Sequence, residues 1–180
     1  MVPSLGGPPS TLAAVVQHAP PVSVEPARPE DYARIAELTV GVYVDGGLAS
    51  PAYTPQLADV AGRATRSELL VARHGAGRVV GSVALVLDGD FGEITESGDE
   101  AAFRMLVVDP AVRGRGVGEL LVRSCLDRAR AAGKRRMVLS TDPRMTAAHR
   151  LYERLGFTRL PERDWSPIPG VDLLAYAIDL

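Results

Sequence analysis

MLVVDPAVRGRGVGELLV, residues 105–122, changes character twice in a short span. Met105–Val108 continue an apolar strand, Asp109 and Pro110 stop it, and apolar residues then recur at helical spacing. Leu120, Leu121, Cys125, Leu126 and Ala129 mark the buried side of the expected helix, with Glu119 and Arg123 one turn apart as an ion pair. Its start goes against helix rules. Gly114, Gly116 and Gly118 crowd the first turn, although a glycine inside a helix costs about 0.8–1 kcal/mol relative to alanine. Arg113 and Arg115 stand at the positive end of the helix dipole, which disfavours cations by roughly 0.3–1 kcal/mol. A phosphate ligand would offset both penalties. Glycines let the backbone approach it, the free N–H groups of the helix start donate to its oxygens, and the arginines face an anion. The alternative is a tight strand-to-helix turn whose arginines point into water.

Outward from this stretch, the chain sets limits on what the ligand can be. Its 180 residues, 46% hydrophobic and 23% charged, suit one well-buried domain. A formal net charge of −2 gives no support for nucleic-acid or anionic-membrane binding, so an anion site must be local. Cys125 is the single cysteine, and His18, His74 and His149 lie far apart without zinc-ligand spacing, so no metal is expected. No apolar run is long enough to span a membrane. Residues 1–21, rich in proline and glycine and without a basic leader, are expected to be a disordered tail on a cytoplasmic protein, with a single domain over 22–180.

Within 22–180 the patterns predict an α/β (α+β) mixed sheet in the order β-α-α-β-β-β-α-β-α-β-β. Val22–Glu25 begins it, followed by the helix RPEDYARIAELTVGVY with Pro29 in its first turn and by one weaker helix over Thr54–Ala64. ELLVAR and RVVGSVALVL form a hairpin across HGAG, and the acidic segment from Asp88 to Glu100 is a loop before the strand AAFRMLVV. RMVLST, the helix TAAHRLYERL, FTRL, a proline-rich excursion around Trp165 and DLLAYAIDL complete the order.

Spacing narrows the ligand. The dinucleotide fingerprint G-x-G-x-x-G would place its third glycine at Glu119, and the P-loop ending is absent. R-x-x-G-x-G after MLVVDP instead resembles the pyrophosphate loop of the GNAT superfamily of N-acetyltransferases. AAHRLYERLGF, residues 147–157, resembles that family's later helix, which ends in L-Y-x-x-x-G-F. The resemblance covers about residues 22–180 and is strongest from Phe103 to Phe157. It implies a GNAT-like acyl-CoA N-acyltransferase fold with acetyl-CoA as cosubstrate.

The resemblance also implies roles. Backbone groups of Leu106, Val107 and Val108 would hold the pantetheine arm like an added strand, with the Val108 amide near the thioester oxygen. Arg113, Gly114, Arg115, Gly116, Val117 and Gly118 would donate to the pyrophosphate. Met145 stands where many members have a pantetheine-binding asparagine. Tyr152 would lie near the sulfur and protonate the departing thiolate, or else be a core aromatic. Many members carry a glutamate in the strand before the loop, where this chain has Ala102, Phe103 and Arg104. Glu100 is the nearest acid, either a general base or a solvated loop carboxylate.

The implied activity is direct acetyl transfer to the amine of a small molecule or peptide, with no metal, nucleic-acid or membrane partner. A homodimer would form through the final strands. The acceptor is not readable: Tyr43, Asp45 and Tyr53 lie in or beside the loop joining the first helices, a frequent acceptor region in the family, and Trp165 either walls the acceptor site from its loop or covers the core edge. Asp88, Asp90, Glu93, Glu96, Asp99 and Glu100 would steer cationic amines if their loop flanked the entrance. A coenzyme A-binding sensor that lost its base is the rival reading.

Overall fold

The computed structural model describes residues 22–75, 77–89 and 94–180. The stretch 1–21, expected as a tail, lies outside them, as do Asp90 and Glu93. The described strands are β1 (Val22–Pro26), β2 (Glu68–His74), β3 (Arg78–Val86), β4 (Glu100–Val108), β5 (Arg136–Thr141), β6 (Thr158–Arg159), β7 (Trp165–Ile168) and β8 (Val171–Asp179). The helices are α1 (Tyr32–Val40), α2 (Thr54–Ala58), α3 (Val60–Ala64), α4 (Val117–Ala131) and α5 (Thr146–Arg154). The sheet runs β1-β2-β3-β4-β5-β8-β6, with β7 paired to β8.

Three expectations needed correction. The proline-rich excursion around Trp165 contains a strand, β7, and its pairing with β8 is held at Trp165↔Leu173 and Ile168↔Val171, on either side of Pro167, which cannot donate to a ladder. The single helix over 54–64 is two, because Asp59 leaves helical geometry (ψ 70°) and accepts from Gly62 N at 2.9 Å. The first helix ends at Val40 and widens into a π turn over Gly41–Asp45.

Alternation along the strands divides the core. Leu70, Ala72, Leu85, Ala101 and Phe103 face α4, whose Leu121, Val122, Cys125, Leu126 and Ala129 are buried against them. Leu69, Val71, Val79, Ala84 and Val107 face α1 and α3. Leu120, expected on the buried side of α4, is 41% exposed.

Two departures from a regular sheet shape its centre. Gly81↔Val108 and Ser82↔Val107 are followed by Ala84↔Arg104, so β4 carries one residue more than β3 in that interval, a β-bulge. Met105 lies within it at φ 53°, the one positive-φ non-glycine residue among those described. On the other side, β4 pairs with β5 in parallel only from Glu100↔Arg136 to Ala102↔Val138. Beyond Ala102 the two strands part.

Candidate functional site

The parting of β4 and β5 leaves a cleft lined by Phe103, Arg104, Met105 and Leu106 of β4 and Ser140 and Thr141 of β5. Met145 and Tyr152, beside and within α5, and Tyr43 of the π turn complete its wall. Phe103 and Tyr152 belong to the α4 side of the core, whereas Tyr43 packs with the α1 side. The cleft is therefore bordered from both faces of the sheet. Because β4 has no ladder partner on its β5 side beyond Ala102 among the described residues, backbone groups at Leu106–Val108 suit an extended ligand.

The end of β4 is fixed by Asp109. Its carboxylate accepts from Arg34 at 2.6 Å, Arg78 at 2.8 Å and Ala111 N at 2.9 Å. The chain then turns through Gly114 (φ 76°) and Gly116 (φ 79°) into α4 at Val117. Two of the three glycines thus precede the helix, and the propensity penalty falls only on Gly118. Both positive φ values require glycine for the turn itself, and a Cβ on either would meet nothing within 4 Å. Gly118 has a different reason: its Cβ would stand 3.3 Å from Leu151 Cδ2 and 3.7 Å from Val108 Cγ2, so it lets α4 pack against α5 and the end of β4. Gly116 makes no side-chain cap, which leaves the first N–H groups of α4 to a ligand. Arg113 and Arg115 flank that end, exposed.

Tyr152 is 4% exposed and packs edge-on to Phe103 at 5.8 Å between ring centroids. Burial pushes its phenol far above the ordinary range, so it keeps its proton at any physiological pH. Tyr43 is also raised, chiefly by burial, against the opposing charges of Arg104 and Arg63. Arg144 ties the neighbouring loops together: it donates to Gly47 O at 2.7 Å, to Leu48 O at 3.1 Å and to Asp142 Oδ2 at 2.7 Å. Its hydrogen bonds hold the Asp142 carboxyl below the usual range.

Glu100 is not a solvated loop carboxylate. It is the first residue of β4, 6% exposed, and accepts from Arg163 and from Glu96 N. Burial works to raise its carboxyl, but the Arg163 hydrogen bond, the Glu96 N–H and the charges of Arg163 and Arg136 outweigh it and lower it. Eight residues of strand, roughly 26 Å, separate it from Val108. The acidic loop is likewise partnered: Asp88 with Lys134, Glu96 with Arg163 and Asp99 with Arg135.

Of the remaining candidates, Cys125 is buried in the core with its thiol raised by desolvation. His149 contacts Asp142 O at 3.1 Å and lies over Tyr176. Trp165 Nε1 donates to Ser140 Oγ at 3.0 Å, which fixes it against the cleft strand. Arg104, Thr141 and Arg144 were missed by motif reading, although an arginine within the apolar run AAFRMLVV was a signal in plain view.

The family model for the Acetyltransferase (GNAT) family matches residues 33–157. N-acetylaspartate synthetase of Danio rerio is 34% identical over 95 residues, 53% of this chain and 31% of that protein. Glucosamine 6-phosphate N-acetyltransferase 1 of Oryza sativa subsp. japonica is 30% identical over 111 residues, 61% of this chain and 64% of that one. The chain thus spans less than two thirds of either relative. Among solved structures, yncA of Salmonella typhimurium with its cofactor acetyl-CoA shares the fold with a TM-score of 0.66 at 24% identity, covering 88% of this chain and 94% of that one.

Proposed function

The chain belongs to the GNAT family of acetyltransferases, and from that premise we propose that it transfers the acetyl group of acetyl-CoA directly to an amine. One observation carries the reading. The cleft between β4 and β5 reaches Leu106, and two residues on Val108 Cγ2 lies 3.7 Å from where a Cβ on Gly118 of α4 would stand, which supports one ligand with its thioester arm in the cleft and its pyrophosphate at the helix start.

In this reading Arg113–Gly118 bind the pyrophosphate through helix N–H groups and guanidinium charge. Leu106, Val107 and Val108 bind the pantetheine through backbone groups, and the Val108 N–H stabilises the oxyanion that forms as the amine attacks. Met145 lines the wall by packing alone, since a thioether offers no amide contact. Tyr152, locked in its protonated form, donates a hydrogen bond to the departing thiolate. Burial raises phenol and thiolate alike and so gives no drive to full transfer, and Tyr152 acts by stabilising the departing thiolate through its hydrogen bond.

No carboxylate or imidazole borders the cleft among the described residues. An alkylammonium, with a pKa near 10.4, therefore gives up its proton to water before attack. Glu100 holds Arg163 in place rather than serving as base. Release of free coenzyme A thiol from acetyl-CoA with a panel of amines tests the function. Tight acetyl-CoA binding with no release for any amine would support the sensor reading instead.

A further inference from the structure

Among the described residues, Arg104 is the one charged residue bordering the cleft. It pairs in register with Ala84, which packs toward α1, so Arg104 lies on the sheet face away from Phe103 and Tyr152. That is the face of Tyr43, whose phenol feels the Arg104 charge. A second cation lies nearby: Arg63, 3% exposed and anchored to Leu57 O at 2.5 Å, has its guanidinium lowered chiefly by burial and also by the charge of Arg104. The carboxylate felt at Tyr43, Asp142, is held by Arg144. Two cations, Arg104 and Arg63, thus stand on the Tyr43 side of the cleft. Thr141 Oγ1 borders the same cleft from the opposite side, the face of Leu139 and Tyr152, and is buried there without a hydrogen-bond partner among the described residues.

A guanidinium presents its donors in a planar fork that matches a carboxylate with two parallel hydrogen bonds. We propose that Arg104 binds a carboxylate carried beside the acceptor's amine, which makes the substrate an amino acid or a similar amino acid-like anion rather than a polycation. The carboxylate then orients the neighbouring nitrogen toward the thioester. This assignment rests on the acetyl-transfer reading above.

The experiment compares amino acids with their decarboxylated amines as acceptors, in the parent protein and in Arg104→Met and Arg104→Lys, following release of coenzyme A. The parent is expected to favour the acids. Arg104→Met should raise the KM of the acids roughly ten- to a hundredfold, the range for lost charged hydrogen bonds. It should leave the decarboxylated amines and acetyl-CoA affinity near parental values, and Arg104→Lys should recover part of the loss. Equal or better use of the decarboxylated amines by the parent overturns the carboxylate assignment alone, as does an equal penalty on both acceptor classes in a folded Arg104→Met protein. Absence of release with every acceptor overturns the acetyl-transfer reading itself and the assignment with it.

Discussion

Arg163 Nη1 donates to both carboxylate oxygens of Glu100, at 2.9 and 2.8 Å, and so joins the segment before β7 to the first residue of β4. The pair is nearly dry, with side-chain exposures of 14% and 6%. Glu100→Gln should therefore lower stability by about 1–3 kcal/mol at neutral pH, the range for a hydrogen bond to a charged partner, while turnover stays near parental. The lowered carboxyl sets the sign of the pH dependence. Its stabilisation is complete above the unfolded glutamate pKa, about 4.3, and disappears as pH falls through the lower folded value. Melting curves of the two proteins should converge on acidification through that window. A hundredfold or greater loss of turnover in a folded variant, the usual scale of a lost general base, would return Glu100 to the chemistry.

At the start of α4, charge and backbone separate. Arg113→Glu and Arg115→Glu replace exposed cations and should each weaken coenzyme A binding about tenfold or more with melting changed by less than about 0.5 kcal/mol. Gly116→Val must adopt φ near 79° with a β-branched side chain, so it should lose about 1–2 kcal/mol as well as affinity. Calorimetry with coenzyme A and thermal melts resolve the two effects. Unchanged affinity in both arginine variants would leave the glycines as a turn and nothing more.

Tyr152→Phe removes a hydroxyl while keeping the ring that packs on Phe103 and Phe157. Turnover at saturating substrates should fall about a hundredfold, with coenzyme A affinity and melting temperature near parental. Full turnover would assign the residue to packing.

The glycine-arginine loop and the strand and helix it joins were legible because their signals are local: a strand stop, a helix period and a spacing of arginines and glycines. The solvated reading of Glu100 is overturned because its burial depends on Arg163, sixty-three positions along the chain, and no local pattern announces such a pair. The ion pairs of the acidic loop were hidden for the same reason, since Lys134 and Arg163 come from distant elements. Arg104 was visible as an odd residue in an apolar strand. Its place in a cleft was not, because that cleft exists only where β4 bulges and β5 turns away.

The bulge supplies the last prediction. Met105 at φ 53° costs about 1–3 kcal/mol of local strain, and the surrounding pairs retain it because Val107 and Arg104 both face the α1 side only with an extra residue between them. Met105→Gly removes the steric cost of that conformation, so it should keep the bulge and coenzyme A affinity, with any lost side-chain packing offset in part by the relieved strain. Met105→Val cannot hold a positive φ without a larger penalty. It should either melt several degrees lower or flatten β4, and in both cases lose coenzyme A affinity, because a flat β4 turns the groups of Leu106–Val108 away from the cleft. Calorimetry and thermal melts of the two variants check this. A Met105→Val protein that binds coenzyme A and melts like the parent would show that the bulge does not shape the site.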